Sequence, residues 1–321
     1  MPLFAARQNR ARLMPELDDQ VLGRALKSLC QPPIPGMTDI QVGLLAQLLS
    51  ASHGDWDRKA HRVSVLAQCV MASQLPEAWL ARHPHDANAV VLHGWAECLR
   101  ATRCGSMPKA QAVLDACHRA SDDHPADPTP WVVILGVLRR LRCPQREVFG
   151  AWNEVLRRDR WHRQAYLQML GYLSPAECGD HMQMMDFIET AQARMPATAP
   201  AIGLELSAAT RQYVKTLGMG GPSALLAKDQ WRQPTGASVL QRALDWQRNP
   251  GYLRHAAALA DLNILAFALV AAQRTNEAKD VFAALAGIVT PWPWHALGDP
   301  LMAYERETRR ALRYRSTPAR G

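Results

Sequence analysis

The chain has 321 residues, 48% of them apolar and 21% charged, with a formal net charge of +8. That apolar content is enough for one long domain or two ordinary ones, and it excludes an intrinsically disordered chain. The apolar set holds 50 Ala and 39 Leu against 18 Val and 7 Ile. Helix formers thus outnumber the β-branched residues that strands favour, and the expected fold class is all-α.

Proline and glycine punctuate the sequence roughly every 15 to 25 residues, and the apolar period between them is three to four, as amphipathic helices require. The first helix, over 16–30, sets Leu17, Val21, Ala25 and Leu29 on one stripe. Gln31-Pro32-Pro33-Ile34-Pro35-Gly36 stops it, so residues 1–37 read as an N-terminal helix and Pro-rich connection, and 38–321 as a continuous helical domain. Thr38 and Gln41 have capping-box spacing at the next start. Helices follow over 38–52, 56–73, 87–103, 107–121, 128–142, 145–158, 161–173, 179–195, 200–217, 237–248, 252–273, 275–289 and 299–314, about fourteen in all, with short extra pieces at 76–83 and 222–231. No alternating strand pattern of useful length interrupts them, and turns this short imply antiparallel neighbours.

The charge is localised. Residues 139–163 hold eight arginines against three acids, the first twelve residues add Arg7, Arg10 and Arg12, and 299–321 add six arginines against three acids. Arg exceeds Lys 31 to 6, the bias expected of a GC-rich bacterial genome. Within the central run, Arg157, Arg158, Arg160, Trp161, His162 and Arg163 interleave cations with rings, beside Trp152 and Tyr166. Guanidinium groups fork onto carboxylate or phosphate while rings cover apolar side chains or bases, so these six residues are the candidate partner-binding set. The alternative is a solvated helix face with Trp152 and Tyr166 in the core and the arginines near a helix C-terminus, where cations are favoured.

Catalytic signatures are absent: there is no GxxxxGK[ST], HExxH, GxSxG or CxxC. Seven cysteines at irregular spacing are no disulfide framework. No metal and no cofactor is expected. His118 with Asp122, Asp123 and His124 reads as a helix end, with Asp127 as the following cap, and Cys178-Gly179-Asp180-His181 reads as a turn with Asp180 capping. His93 and Glu97, at i and i+4, read as a surface ion pair or a satisfied core histidine. Gly218-Met219-Gly220-Gly221-Pro222 follows a helix rather than a strand, so it reads as a C-cap and a new helix start rather than a phosphate loop. Met1–Arg7 lacks the apolar run of a signal peptide, and Ala256–Ala272 is too short to span a membrane comfortably and carries Asp261 and Asn263. The expected location is cytoplasmic.

One pair of segments carries a resemblance. Leu262, Ala266 and Leu269, a turn at Arg274-Thr275, then Ala278, Phe282 and Leu285 with Pro291 closing, resembles a tetratricopeptide-type helix pair, with Ala278 as the small residue admitting close approach. Val113, Cys117, Ala120 and Pro125 followed by Trp131, Leu135 and Leu138 suggest a second copy. Residues from Phe149 through Leu173, and weakly to Tyr213, are similar to a group of uncharacterised actinobacterial helical-repeat proteins, although the turn after Tyr172-Leu173 reads Pro175-Ala176-Glu177-Cys178 where that group has a Lys-Trp-x-Gly-Ser type turn. The resemblance implies an α-solenoid of antiparallel helix pairs with a C-terminal capping helix. The expected function is a non-catalytic protein- or peptide-binding scaffold with an arginine-rich concave surface for an acidic partner. Two alternatives stand beside it: an enzyme or small-molecule binder with a pocket between stacked helices, and a nucleic-acid binder.

Overall fold

In a computed structural model the described residues are 10–29, 36–227 and 229–313. The expected contributions of Arg7, of the prolines in 30–35 and of the basic tail from residue 314 lie outside them. The chain forms two compact units: a contiguous one, Asp19–Ala201, and one assembled from the chain on either side of it. Almost every element is helical, as the Ala and Leu content requires.

The contiguous unit comprises α1 (Gln20–Leu29), α2 (Thr38–Ser50), α3 (Trp56–Val70), α4 (Leu75–Arg82), α5 (Ala87–Cys104), α6 (Ala110–Asp123), α7 (Thr129–Arg140), α8 (Gln145–Arg158), α9 (Arg163–Tyr172) and α10 (His181–Gln192). Helices α1, α3, α5, α7 and α9 pack successively side by side, while α2 bridges α1 and α3, α6 bridges α5 and α7, and α8 bridges α7 and α9. Close approach rests on small residues. A Cβ on Gly94 of α5 would lie 2.6 Å from Cγ1 of Val133 on α7 and 3.0 Å from Cγ1 of Val113 on α6. Leu92, Leu135, Cys117 and Val148 are wholly buried in this interior.

Polar devices fix the helix ends. Asp86 and Asp180 accept backbone amides at the starts of α5 and α10, the second as its sequence position predicts. Asp127 accepts the Thr129 amide and hydroxyl and also pairs with Lys59 at 2.6 Å, joining α3 to the start of α7. Asp19 accepts the Leu22 amide and pairs with Arg62 at 2.7 Å, while Arg62 also donates to the Leu48 carbonyl and the Ser52 hydroxyl. Burial, the largest single influence, disfavours ionised Asp19, yet the Arg62 hydrogen bonds, the Leu22 amide and the charges of Arg62 and Arg58 together outweigh it and hold the carboxyl below the usual range.

The second unit holds β1 (Arg12–Leu13), α11 (Leu204–Gly218), α12 (Gly221–Ala227), α13 (Pro234–Gln247), α14 (Ala258–Ala271), α15 (Thr275–Leu285), β2 (Ile288–Val289), α16 (Pro291–Trp294) and α17 (Pro300–Arg313). In the α14–α15 pair Leu262, Ala266, Leu269, Ala278, Phe282 and Leu285 are all buried. Trp294 is fully buried against Phe267, Phe282 and Tyr304. Asn263 is the polar centre of this core. Its Nδ2 donates to the Leu259 and Ile288 carbonyls, and its Oδ1 accepts from the Thr290 amide and Trp294 Nε1.

Several expectations need correction. Seventeen α-helices stand among the described residues rather than about fourteen: the short extra pieces at 76–83 and 222–231 form α4 and α12, and α16 at Pro291–Trp294 adds one that the sequence reading lacks. Thr38 lies inside α2, whose cap is Met37 without a side-chain bond, so the capping box does not form. The helix over 275–289 stops at Leu285: Ala286 and Gly287 turn left-handed at φ 49° and 85°, and the β-branched Ile288-Val289 then pairs in parallel with β1. Among the described residues no helix is long and apolar enough to cross a membrane.

Candidate functional site

A concave cleft of about 480 Å³ opens within the contiguous unit, between α8 and α10 and over the start of α9. Helical spacing explains its walls. Phe149, Trp152 and Leu156 form one stripe of α8, while Gln183, Phe187 and Ala191 form one of α10, with Arg194 just beyond. At 1.5 Å per residue each stripe runs for ~10–12 Å, about two turns. Tyr166, Trp161 and Leu173 close the base. The rings hold one another: Trp152 meets Tyr166 edge-on at 4.8 Å, Phe187 lies 5.7 Å from Trp152 and 5.9 Å from Tyr166, and Trp161 stacks on Tyr166 at 6.0 Å.

The charged groups here are Arg160, Arg194 and Asp186, all exposed. Arg160 lies over the Trp161 ring at 5.2 Å. Among the described residues neither Arg160 nor Arg194 has a carboxylate within ion-pair distance. Burial pushes the Tyr166 phenol up to about 12, so it is neutral and a donor throughout the physiological range. Histidine, cysteine and paired carboxylates are missing from the lining, so it offers no nucleophile–base or acid–base couple. The lining is an apolar, aromatic surface with Arg160, Arg194 and Asp186 at its edges.

The six residues singled out in sequence separate in space. Arg160 and Trp161 line the cleft. Arg157 is exposed and paired with Glu154. Arg158 is largely covered: it donates to Glu154 and to the Pro125 carbonyl and lies over the Trp131 ring at 5.6 Å. Arg163 is half-buried in the first turn of α9 and has an interaction of its own. His162 points inward, 1% exposed, as the N-cap of α9; its Nδ1 accepts the Ala165 amide. Among the described residues its Nε2 has no partner, and His162 lines a cavity of about 10 Å³, roughly the room of a single water. Desolvation lowers its pKa, so the imidazole is neutral. Trp152 and Tyr166 are buried, as in the core alternative. Phe149, Leu156, Phe187 and Arg194 join the site although no sequence signal marks them, because their apolar stripes read like any core-facing helix.

Other clusters resolve into structural roles. Glu77, His93 and Glu97 bring ligand atoms within 4.8 Å of one another. Arg100, however, donates to both glutamates at 2.5–2.6 Å and Lys109 stands 3.7 Å from Glu97, so two cations already balance two carboxylates. His93 and Glu97 stand 3.8 Å apart and both are buried, so they do not form the surface ion pair that their i and i+4 spacing suggested. Burial keeps His93 below its ordinary pKa, with Glu97 opposing. His118 packs edge-on against Trp131, while Asp122 and Asp123 point to solvent. The Gly218–Pro222 segment ends α11 and begins α12, as its glycines imply. No protein-family model, no curated protein and no solved structure matches this chain.

Proposed function

We propose that the chain is a non-catalytic, protein- or peptide-binding helical-repeat scaffold of the tetratricopeptide kind. The α8–α10 cleft is its docking site for an acidic partner. The reading rests on one observation above others: an aromatic-walled cleft flanked by Arg160 and Arg194, two cations with no carboxylate within ion-pair distance among the described residues. The side-by-side order of α1, α3, α5, α7 and α9 supports the repeat reading, since stacked helix pairs place every second helix in contact. The lining supports binding over turnover, because no general acid, base or nucleophile stands in it beside a partner group. Nucleobase stacking is disfavoured, because Trp161 is already engaged by Arg160 and Tyr166, and Trp152 and Tyr166 are buried edge to face.

The test is affinity capture from nuclease-treated host extract across a salt series, with wild type beside Arg160→Glu/Arg194→Glu. A stoichiometric protein bound with a salt-dependent affinity, and weakened at least tenfold by the double variant, is the expected result. A co-purifying small molecule, or a partner indifferent to both reversals, would overturn the reading.

A further inference from the structure

We infer that the occupant of the α8–α10 cleft is an amphipathic helix of the partner, carrying large apolar residues at i, i+3 or i+4, and i+7 with acidic residues beside them. The inference rests on the docking reading above and specifies its chemistry.

Three features of the cleft lead to it. First, its two walls are themselves helix faces, Phe149–Trp152–Leu156 and Gln183–Phe187–Ala191, each about two turns long. A third helix laid along them can seat two or three anchors at the 5.4 Å pitch the walls share. An extended strand advances ~3.3 Å per residue and turns alternate side chains away, so only every second residue would face the cleft. Second, the walls offer few hydrogen-bonding groups. Both are α-helices whose backbone amides are internally satisfied, and apart from the Tyr166 hydroxyl, Gln145, Gln183 and Thr190 are the only uncharged amide or hydroxyl side chains in the cleft lining. An extended peptide brings unpaired N–H and C=O groups that this surface would strip of water without replacing the bonds, whereas a helix arrives with them already paired. Third, Arg160 follows α8 and Arg194 follows α10, so the cations stand at the ends of the two walls and not on the apolar floor. Carboxylates flanking an apolar stripe would meet them there, while the stripe displaces water from the rings.

The experiment uses the full chain against a display library of helix-favouring peptides about 15 residues long, with every position free to vary between apolar, acidic and basic residues. Binders are recovered in competition with Thr190→Trp, which fills the cleft from an exposed position, and are re-measured against Arg160→Glu/Arg194→Glu. Both variants alter surface residues, and unchanged circular dichroism reports their folding. The inference expects recovered peptides with apolar residues at three-to-four spacing, acidic neighbours, loss of binding to Thr190→Trp, and at least tenfold weaker binding to the double arginine variant. Cleft-dependent acidic peptides with a two-residue period or internal proline would overturn the helix while leaving the docking reading in place. Recovery of no cleft-dependent peptide, or of basic ones only, would overturn both.

Discussion

The Asp19–Arg62 pair allows a quantitative test of what ties α1 to α3. Both side chains are buried, at 7% and 5% exposure, and Arg62 makes hydrogen bonds of 2.7 and 3.2 Å to Asp19 and of 2.8 Å each to the Leu48 carbonyl and the Ser52 hydroxyl. Arg62→Met fills similar volume but leaves the Asp19 carboxylate with only the Val21 and Leu22 amides. Leaving a buried charge without its partner costs about 3–5 kcal/mol. Asp19→Asn retains the cap oxygen and removes the charge, so the double variant Asp19→Asn/Arg62→Met should lose only about 1–2 kcal/mol. Because the two units need not unfold together, the assay is urea-dependent hydrogen exchange read on peptides covering residues 20–70, not a single global transition. The sign of the pH effect follows as well. Asp19 has a depressed folded pKa, so its contribution is present above the unfolded carboxyl range and is lost as pH falls through the folded value. Arg62→Met should flatten that acid limb. A double variant whose loss equals the sum of the singles would refute the argument, since the coupling is its whole content.

Three further outcomes follow from the same packing. Gly94→Ala should cost about 1–3 kcal/mol by calorimetry, because its Cβ would meet Val133 at 2.6 Å on a stiff β-branched side chain; an unchanged melting temperature would show that α7 yields freely. Asn263→Leu should destabilise the second unit by about 2–4 kcal/mol, orphaning Trp294 Nε1, the Thr290 amide and the Ile288 carbonyl, and a neutral result in urea titration would mean water replaces the amide. Alkylation followed by peptide mass spectrometry should label exposed Cys104 in the native protein, whereas burial pushes the Cys98 thiol up to about 12 and Cys117 higher, so both should react only after denaturation.

Much of the fold is written in local spacing. The buried stripes of α6, with Val113, Cys117 and Ala120, and of α14, with Leu262, Ala266 and Leu269, follow directly from apolar periodicity between proline and glycine stops. The stop of α15 at Ala286 was harder to read, since an alanine in the left-handed region carries no sequence mark and only its pairing partner β1, far away in the chain, explains the strand that follows. The cleft was half legible. Arg160 and Trp161 belong to a basic, aromatic run that stands out in one dimension. The reversal of the chain at Asp159–His162 then sends neighbours in that run to different fates: Arg158 lies across Trp131, and His162 turns into the core. The opposite wall, Phe187 and Ala191, is an ordinary amphipathic stripe until α8 is seen across from it.

The β1–β2 pairing has a consequence for the order in which the protein matures. Arg12 and Leu13 leave the ribosome before the entire Asp19–Ala201 unit, yet the residues that stand opposite them in the pairing, Ile288 and Val289, emerge after it. The contiguous unit can complete its helices from its own residues, while the opening strand must wait, unpaired, until the far side of the other unit has been made. In topological terms, Asp19–Ala201 is an insert within a host whose two halves close around it in sequence. The seams at Asp18/Asp19 and Ala201/Ile202 are therefore where the chain can be cut or rejoined with least loss to either set of internal contacts.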